Sequence, residues 1–207
     1  MPDPRTQIVA EGYDAMGETF AEWRKGFVGD PRREWEDDLV GRLEVGARVL
    51  DLGCGGGSPE TDRLARRFMV TGVDISPLQV ERARAAIPEA AFLCADFTEL
   101  DLPAGSFDAV TSFVAFNHVP RELLAPLLER IHGWLVPGGW LLTAFGASDN
   151  AGWTGEWLGA RTFFSGFPPE VNSRLVCEAG FAIERDEVVV YDSTDGAERF
   201  QWVLACA

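Results

Sequence analysis

The chain reads as an α/β protein built on a mostly parallel sheet, and three observations carry that reading. The first is Val49-Leu50-Asp51-Leu52-Gly53-Cys54-Gly55-Gly56-Gly57, an apolar run closed by an acid and then by glycines. That is the pattern of a buried parallel strand turning tightly into a helix. The second is the recurrence of the layout: apolar stretches at 69–73 and 91–95 end at Asp74 and Asp96, with helical patterns between them. The third is the Pro-Gly and Ser-Asp punctuation, which cuts the rest of the chain into regular units without a repeat or a low-complexity stretch.

Taken in order, residues 5–26 carry Ile8, Val9, Tyr13, Met16, Phe20 and Trp23 at three- and four-residue steps, which predicts one amphipathic helix. A second helix over 32–45 carries the acidic run Glu34, Glu36, Asp37, Asp38, read as a solvated face. The first strand spans 47–52, and Ser58-Pro59-Glu60 supplies an N-cap, an N1 proline and an early acid for the next helix, to about 68. A second strand (69–74), a helix capped by Ser76 (77–87), a third strand (91–97) and a fourth (106–114) follow. Then come a helix over 121–134, a Pro-Gly-Gly turn before a fifth strand, and a helix over 169–179. Strands over 181–191 and 198–206 close the chain as a hairpin-like pair. Between Ser148 and Phe167 the pattern dissolves into glycines and aromatics and reads as a loop.

With 207 residues, 46% of them apolar, the chain can bury one substantial core, so a single domain over 1–207 is expected. Lys plus Arg number 18 against 33 Asp plus Glu, a net charge of −15 that disfavours nucleic acid and anionic membrane surfaces. No apolar stretch is long enough to span a bilayer and the first residues carry none, so a cytoplasmic protein is expected. Cys54, Cys94, Cys177 and Cys206 are scattered with no C-x-x-C and only His118 and His132 beside them, which points to reduced thiols and no metal.

The glycine spacing selects the ligand. A dinucleotide fingerprint wants a small residue where Ser58 stands and matches poorly. D-x-G-x-G-x-G, as Asp51, Gly53, Gly55 and Gly57, instead resembles the first motif of the class I S-adenosylmethionine (SAM) dependent methyltransferases. Leu135-Val136-Pro137-Gly138-Gly139 and the Phe107-Asp108 strand resemble further landmarks of that family, in the right order. The resemblance runs from about residue 8 to the end. It implies a Rossmann-like three-layer sandwich with a seven-stranded, mostly parallel sheet whose last strand pair is antiparallel. It divides the domain into N-terminal helices or lid (1–46), a SAM-binding core (47–146) and a substrate-side segment (147–207).

The same resemblance implies SAM as cofactor and S-adenosylhomocysteine as product. The backbone of Gly53, Cys54, Gly55 and Gly57 would wrap the methionine part, Asp51 its amino group, and Tyr13 would close over it from the N-terminal segment. Asp74 lies about twenty residues beyond the glycine loop, where a carboxylate meets ribose hydroxyls, with Ile75 next to it. Asp96 and Phe97 fall to the adenine amino group and ring, and Phe113 ends the fourth strand beside the cofactor. Asn117, Trp153, Trp157, Phe163 and Phe164 are expected around the acceptor, the alternative for the aromatics being a satellite cluster under a long loop.

His118, just past the fourth strand, is the candidate catalytic residue, as a general base or an orienting partner. Asp149 and Asn150 with Asn117 offer a metal too little oxygen charge, so none is expected. The expected activity is methyl transfer to an O, N or C atom of a small molecule, by a monomer or homodimer. A nicotinamide oxidoreductase and a non-catalytic SAM-binding or interaction module are the alternatives.

Overall fold

The computed structural model describes residues 3–27, 29–193 and 196–207. The chain opens with α1 (Pro4–Met16), α2 (Thr19–Arg24) and α3 (Arg32–Arg42). It then alternates through β1 (Arg48–Leu52), α4 (Pro59–Ala65), β2 (Met69–Asp74), α5 (Pro77–Ala86), β3 (Ala91–Cys94), β4 (Phe107–Ser112), α6 (Arg121–Trp134) and β5 (Leu135–Gly146). β6 (Asn150–Trp157), β7 (Ala160–Gly166), α7 (Pro169–Glu178), β8 (Ala182–Ser193) and β9 (Gly196–Cys206) complete it.

Seven strands form one sheet in the order β3-β2-β1-β4-β5-β9-β8. The first five strands pair in parallel, and β9 runs antiparallel between β5 and β8. The strand order reverses at β1, which places the carboxyl ends of β1 and β4 side by side, the usual crevice of an open α/β sheet. Apolar clusters cover both faces, one around Leu50, Leu127, Leu128, Ile131 and Leu141, the other around Trp35, Leu39, Val49, Leu142 and Trp202. Burying each such side chain contributes about 1.5 to 3 kcal/mol before entropy is subtracted. Ser58 and Ser76 cap α4 and α5 from their side chains, and each helix has its proline in the first turn. Asp108 accepts from the Arg48 backbone N–H at 2.7 Å and its guanidinium at 3.0 Å, tying the starts of β1 and β4 together.

Four expectations change. Glu36, read with Glu34, Asp37 and Asp38 as a solvated face, is buried and pairs with Arg63 of α4. The single N-terminal helix divides at Gly17, whose φ of 55° breaks it into α1 and α2. α1 belongs to the body of the molecule: it buries Val9, Ala10 and Met16, and Gly12 lies so close to the Arg161 carbonyl of β7 that a Cβ would not fit. α2 buries no residue. The stretch read as a loop is the antiparallel hairpin β6–β7, outside the main sheet, closed by Leu158 and Gly159 with φ of 50° and 77°. Paired positive φ values at a two-residue turn match the right-handed twist of the strands it joins. Finally, the Pro-Gly-Gly turn lies inside β5, as an irregularity between the Phe107 and Ala109 pairings. Among the described residues no helix is long and apolar enough to cross a membrane.

Candidate active site

Three carboxylates stand at or next to the carboxyl ends of adjacent strands. Asp51, on β1, is buried and accepts from the hydroxyls of Thr61 at 2.7 Å and Thr111 at 2.9 Å. Burial pushes its carboxyl up to about 6, against the pull of those two bonds. Asp74, ending β2, accepts from the backbone N–H groups of Gly55 and Ser76, each at 2.9 Å. Burial raises it too, opposed by these backbone donors. Asp96 follows β3 and accepts through Oδ1 from the N–H and hydroxyl of Thr98 at 2.8 and 2.7 Å, whereas its Oδ2 is buried with no protein partner. A buried carboxylate oxygen with no donor is costly unless a ligand supplies one.

The glycine loop joins these acids. Gly53 adopts φ 78°, and its N–H donates to the Val73 carbonyl at 2.8 Å, which holds the turn against β2. Behind it stands Ala115, in a 3-10 turn (Ala115–His118) entered through Val114 at φ 73°. A β-branched residue in the left-handed region is strained, and this one faces the crevice.

A cavity of about 1200 Å³ runs the length of this edge. At one end lie Asp96 and Phe97, in the middle Asp74, Ile75, Asp51, Gly53, Cys54, Gly55 and Gly57, and at the other Tyr13, Phe113, Asn117, His118, Trp153, Trp157 and Phe164. Phe163 is the exception among the expected residues: its side chain is buried beneath α1, with the Arg5 guanidinium 5.6 Å from the ring centroid, and it does not line the cavity. Strand alternation explains this, because neighbouring residues of β7 point to opposite faces. Asn117 turns its Oδ1 to the Gly146 N–H at 2.5 Å and so pins the 3-10 turn to β5.

His118 is held at both ring nitrogens. Nδ1 is 2.7 Å from the Phe163 carbonyl and Nε2 is 2.9 Å from the Tyr13 hydroxyl. A direct bond from either nitrogen to an acceptor, as the sequence suggested, is therefore taken by protein groups. Burial lowers its pKa to about 4, with the carbonyl bond opposing, so the ring is neutral at physiological pH. Burial likewise raises the Tyr13 phenol above its ordinary value.

An aromatic circuit encloses this end. Tyr13 meets Phe20 edge-on at 5.1 Å, Phe20 meets Trp157 at 6.1 Å, Trp157 meets Phe164 at 5.2 Å, Phe164 meets His118 at 4.6 Å, and His118 meets Tyr13 at 5.3 Å. Trp23 of α2 packs on Trp157 at 4.9 Å. The N-terminal helices and the β6–β7 hairpin thus meet over the cavity, with each pair contributing about 0.5 to 1.5 kcal/mol beyond area burial.

Several lining residues escaped the sequence reading. Arg24 of α2 bonds Glu60 at 2.9 Å, and Arg32 pairs with Asp30; all four line the cavity beside the glycine loop. Burial alone would raise Glu60, but Arg24, Arg32 and a backbone bond together hold the carboxyl below its usual value. Glu60 was visible as a first-turn acid, while Arg24 carries no local signal. Thr111 could have been found by register, since it pairs directly with Asp51 across β1 and β4.

Comparison with known proteins gives a consistent picture. The family profile described as "Methyltransferase domain" matches residues 49–139. The chain is 34% identical over 141 residues to 27-O-demethylrifamycin SV methyltransferase of Amycolatopsis mediterranei, covering 58% of this chain and 52% of that protein. It is 42% identical over 107 residues to 2-methyl-6-phytyl-1,4-hydroquinone methyltransferase of Synechocystis, covering 49% of this chain and 33% of that one. The chain thus spans about half or less of these curated relatives. Among solved structures, 1,6-didemethyltoxoflavin-N1-methyltransferase of Burkholderia thailandensis, with bound 1,6-didemethyltoxoflavin and S-adenosylhomocysteine, superposes with a TM-score of 0.72 at 21% identity. That superposition covers 98% of this chain and 86% of the other and describes a shared fold.

Proposed function

We propose that this chain, whose residues 49–139 match a methyltransferase-domain profile, is a class I SAM-dependent methyltransferase that transfers the methyl group of SAM to a small-molecule acceptor. The observation that carries the assignment to this cavity is the unpartnered Asp96 Oδ2. It is a buried acceptor on a residue that lines the end of the cavity to which the adenine amino group is assigned.

The remaining residues fit the same cofactor. Asp74 keeps lone pairs for two ribose hydroxyls, since each of its oxygens accepts a single backbone bond. Ile75 and Phe97 supply apolar faces for the base, and Phe113 stands beside the glycine loop. Asp51 is a buried carboxylate with no cation beside it among its hydrogen-bond partners, and a ligand ammonium would offset the burial that raises its carboxyl. Gly53, Cys54, Gly55 and Gly57 let the ligand approach the backbone.

When bound, SAM supplies an electrophilic methyl with a good leaving group. The protein's task is then to hold the acceptor in line and to exclude water. Asn117, Trp153, Trp157 and Phe164 form the acceptor lobe, and α2, with no buried residue, is its movable cover. His118 lines that lobe and holds the Tyr13 hydroxyl at 2.9 Å. Small-molecule acceptors are favoured by the names of the two curated relatives and by a net charge of −15, which repels nucleic acid.

Calorimetry with SAM, S-adenosylhomocysteine and NADH tests this reading. The first two should bind at one site per chain and NADH should not, and Asp74→Ala should weaken both by about 10- to 150-fold, on the order of 1.5 to 3 kcal/mol. Binding of NADH in place of SAM would instead mean an oxidoreductase. Binding of SAM without transfer of label into any host metabolite extract would mean a non-catalytic module.

A further inference from the structure

The hydrogen-bond directions at His118 are fixed by chemistry. The Phe163 carbonyl can only accept, so Nδ1 carries the proton of the neutral ring and Nε2 presents its lone pair. The Tyr13 hydroxyl is therefore the donor to Nε2, at 2.9 Å. This leaves Tyr13 Oη with unused lone pairs, and both residues line the cavity.

We propose that Tyr13 is the catalytic residue that meets the acceptor, that His118 takes up the proton through it, and that the acceptor is a phenol-type hydroxyl on a flat apolar body. The proposal rests on the methyl-transfer reading of the same cavity.

The flat body follows from the walls. Trp23 and Phe20 approach from the N-terminal side, Trp157 and Phe164 from the hairpin, and aromatic faces of this kind hold rings by offset or edge contact. α2 lies between Gly17 and Gly29, both at positive φ, and buries nothing, so it can part from the hairpin to admit such a body. The hydroxyl follows from the proton. An amine acceptor can shed its proton to solvent later, whereas an oxygen must lose it as the new bond forms, inside a cavity closed by aromatics. A phenol releases its proton at about pH 10, as tyrosine does, and an alkyl alcohol, like water, only near about 16. Of the two, the phenol lies closer to the reach of an imidazole, and the base is already in contact with Tyr13 at 2.9 Å.

The step balances. The acceptor oxygen gains the methyl and loses its proton to Tyr13 Oη, and the Tyr13 proton moves to His118 Nε2. An imidazolium remains, with Nδ1–H still on the Phe163 carbonyl. The sulfonium that gave the methyl becomes a neutral thioether, so one positive charge leaves the cavity as another forms at His118.

The test uses the full chain, labelled SAM and three naphthalene probes, after calorimetry has established SAM binding. Label should enter 2-naphthol, and 2-naphthylamine and 2-naphthaleneethanol should accept it at less than about a tenth of that rate. Tyr13→Phe keeps the ring, so SAM affinity should stay within about 3-fold while kcat for 2-naphthol falls about 10²-fold or more. With 6-cyano-2-naphthol, which ionises more readily, the deficit of Tyr13→Phe should shrink to less than about 10-fold, a rescue that a packing role would not give. Nitrogen-15 NMR of the imidazole should show a protonated Nδ1 in both proteins and a shifted Nε2 in Tyr13→Phe. Faster labelling of the amine, no labelling of 2-naphthol by SAM-bound protein, or a wild-type rate in Tyr13→Phe would each overturn the proposal. Failure to bind SAM would instead sink the methyl-transfer reading beneath it.

Discussion

Ala115 occupies the space that a side chain on Gly53 would need: a Cβ built on Gly53 falls on the Ala115 methyl. The glycine loop and the 3-10 turn after β4 are therefore fitted to each other, and the strained Val114 is what brings that turn so close.

Gly53→Ala must both hold a Cβ at φ 78° and displace Ala115. The backbone cost alone is about 1 to 2 kcal/mol, which for a chain of this size lowers Tm by about 2 to 8 °C. We expect that loss together with at least a 10-fold loss of SAM affinity, and partial recovery of both in the double variant with Ala115→Gly. Thermal scans and calorimetry on the four proteins check it; additive effects would separate the two elements.

Asp51→Asn should make the ligand-free protein more stable and a poorer binder. Folded, the Asp51 carboxyl holds its proton up to about 6 against 3.8 as its ordinary value. It therefore lowers stability progressively as pH rises from about 4 to 6, by about 3 kcal/mol in all. His118 works in the opposite sense: its pKa of about 4 against 6.5 gives stability that is present above pH 6.5 and lost as pH falls through 4. The asparagine variant should gain about 1 to 3 kcal/mol at pH 7.5 in denaturant titrations, keep none of that gain at pH 4, and bind SAM at least about 10-fold more weakly. Equal stability of the two proteins at pH 7.5 would remove the buried charge from the account.

Trp157 joins the cover to the hairpin through Phe20, Trp23 and Phe164. Trp157→Ala should release α2 while the main sheet stays intact. Hydrogen exchange at residues 19–24 should accelerate by about 10-fold or more, with the strands of the large sheet unchanged. If exchange over 19–24 stays at the wild-type rate, α2 is held elsewhere, with Arg24 and Glu60 the next pair to break.

Much of the sheet was legible because its strands are buried on both faces and so appear as continuous apolar runs closed by acids, as Val49 to Asp51 and Val70 to Asp74 do. The hairpin β6–β7 was not. Its turn is Leu158-Gly159 rather than Asn-Gly, and its glycines interrupt the alternation; the Trp153 ring lies over Gly155, so an aromatic covers a position that reads in sequence as a break. The split at Gly17 was hidden because Phe20 and Trp23 keep the helical spacing of Tyr13 and Met16 while serving the cavity rather than the core. The carboxylates could be placed in advance by strand position. The partners that decide their chemistry, Thr61 and Thr111 for Asp51 and Tyr13 for His118, are set by register and docking and leave no mark in local sequence.

The fit of Gly12 against the Arg161 carbonyl also has a consequence for biosynthesis. α1 is made roughly 150 residues before the strand it docks on, an interval of about 7 to 30 s at ordinary elongation rates. The parallel strands β1 to β5 are all made before then, so they can pair while the N-terminal segment waits with Val9, Ala10 and Met16 uncovered. Tyr13 and His118 are likewise both made before the hairpin whose Phe163 carbonyl holds the His118 ring.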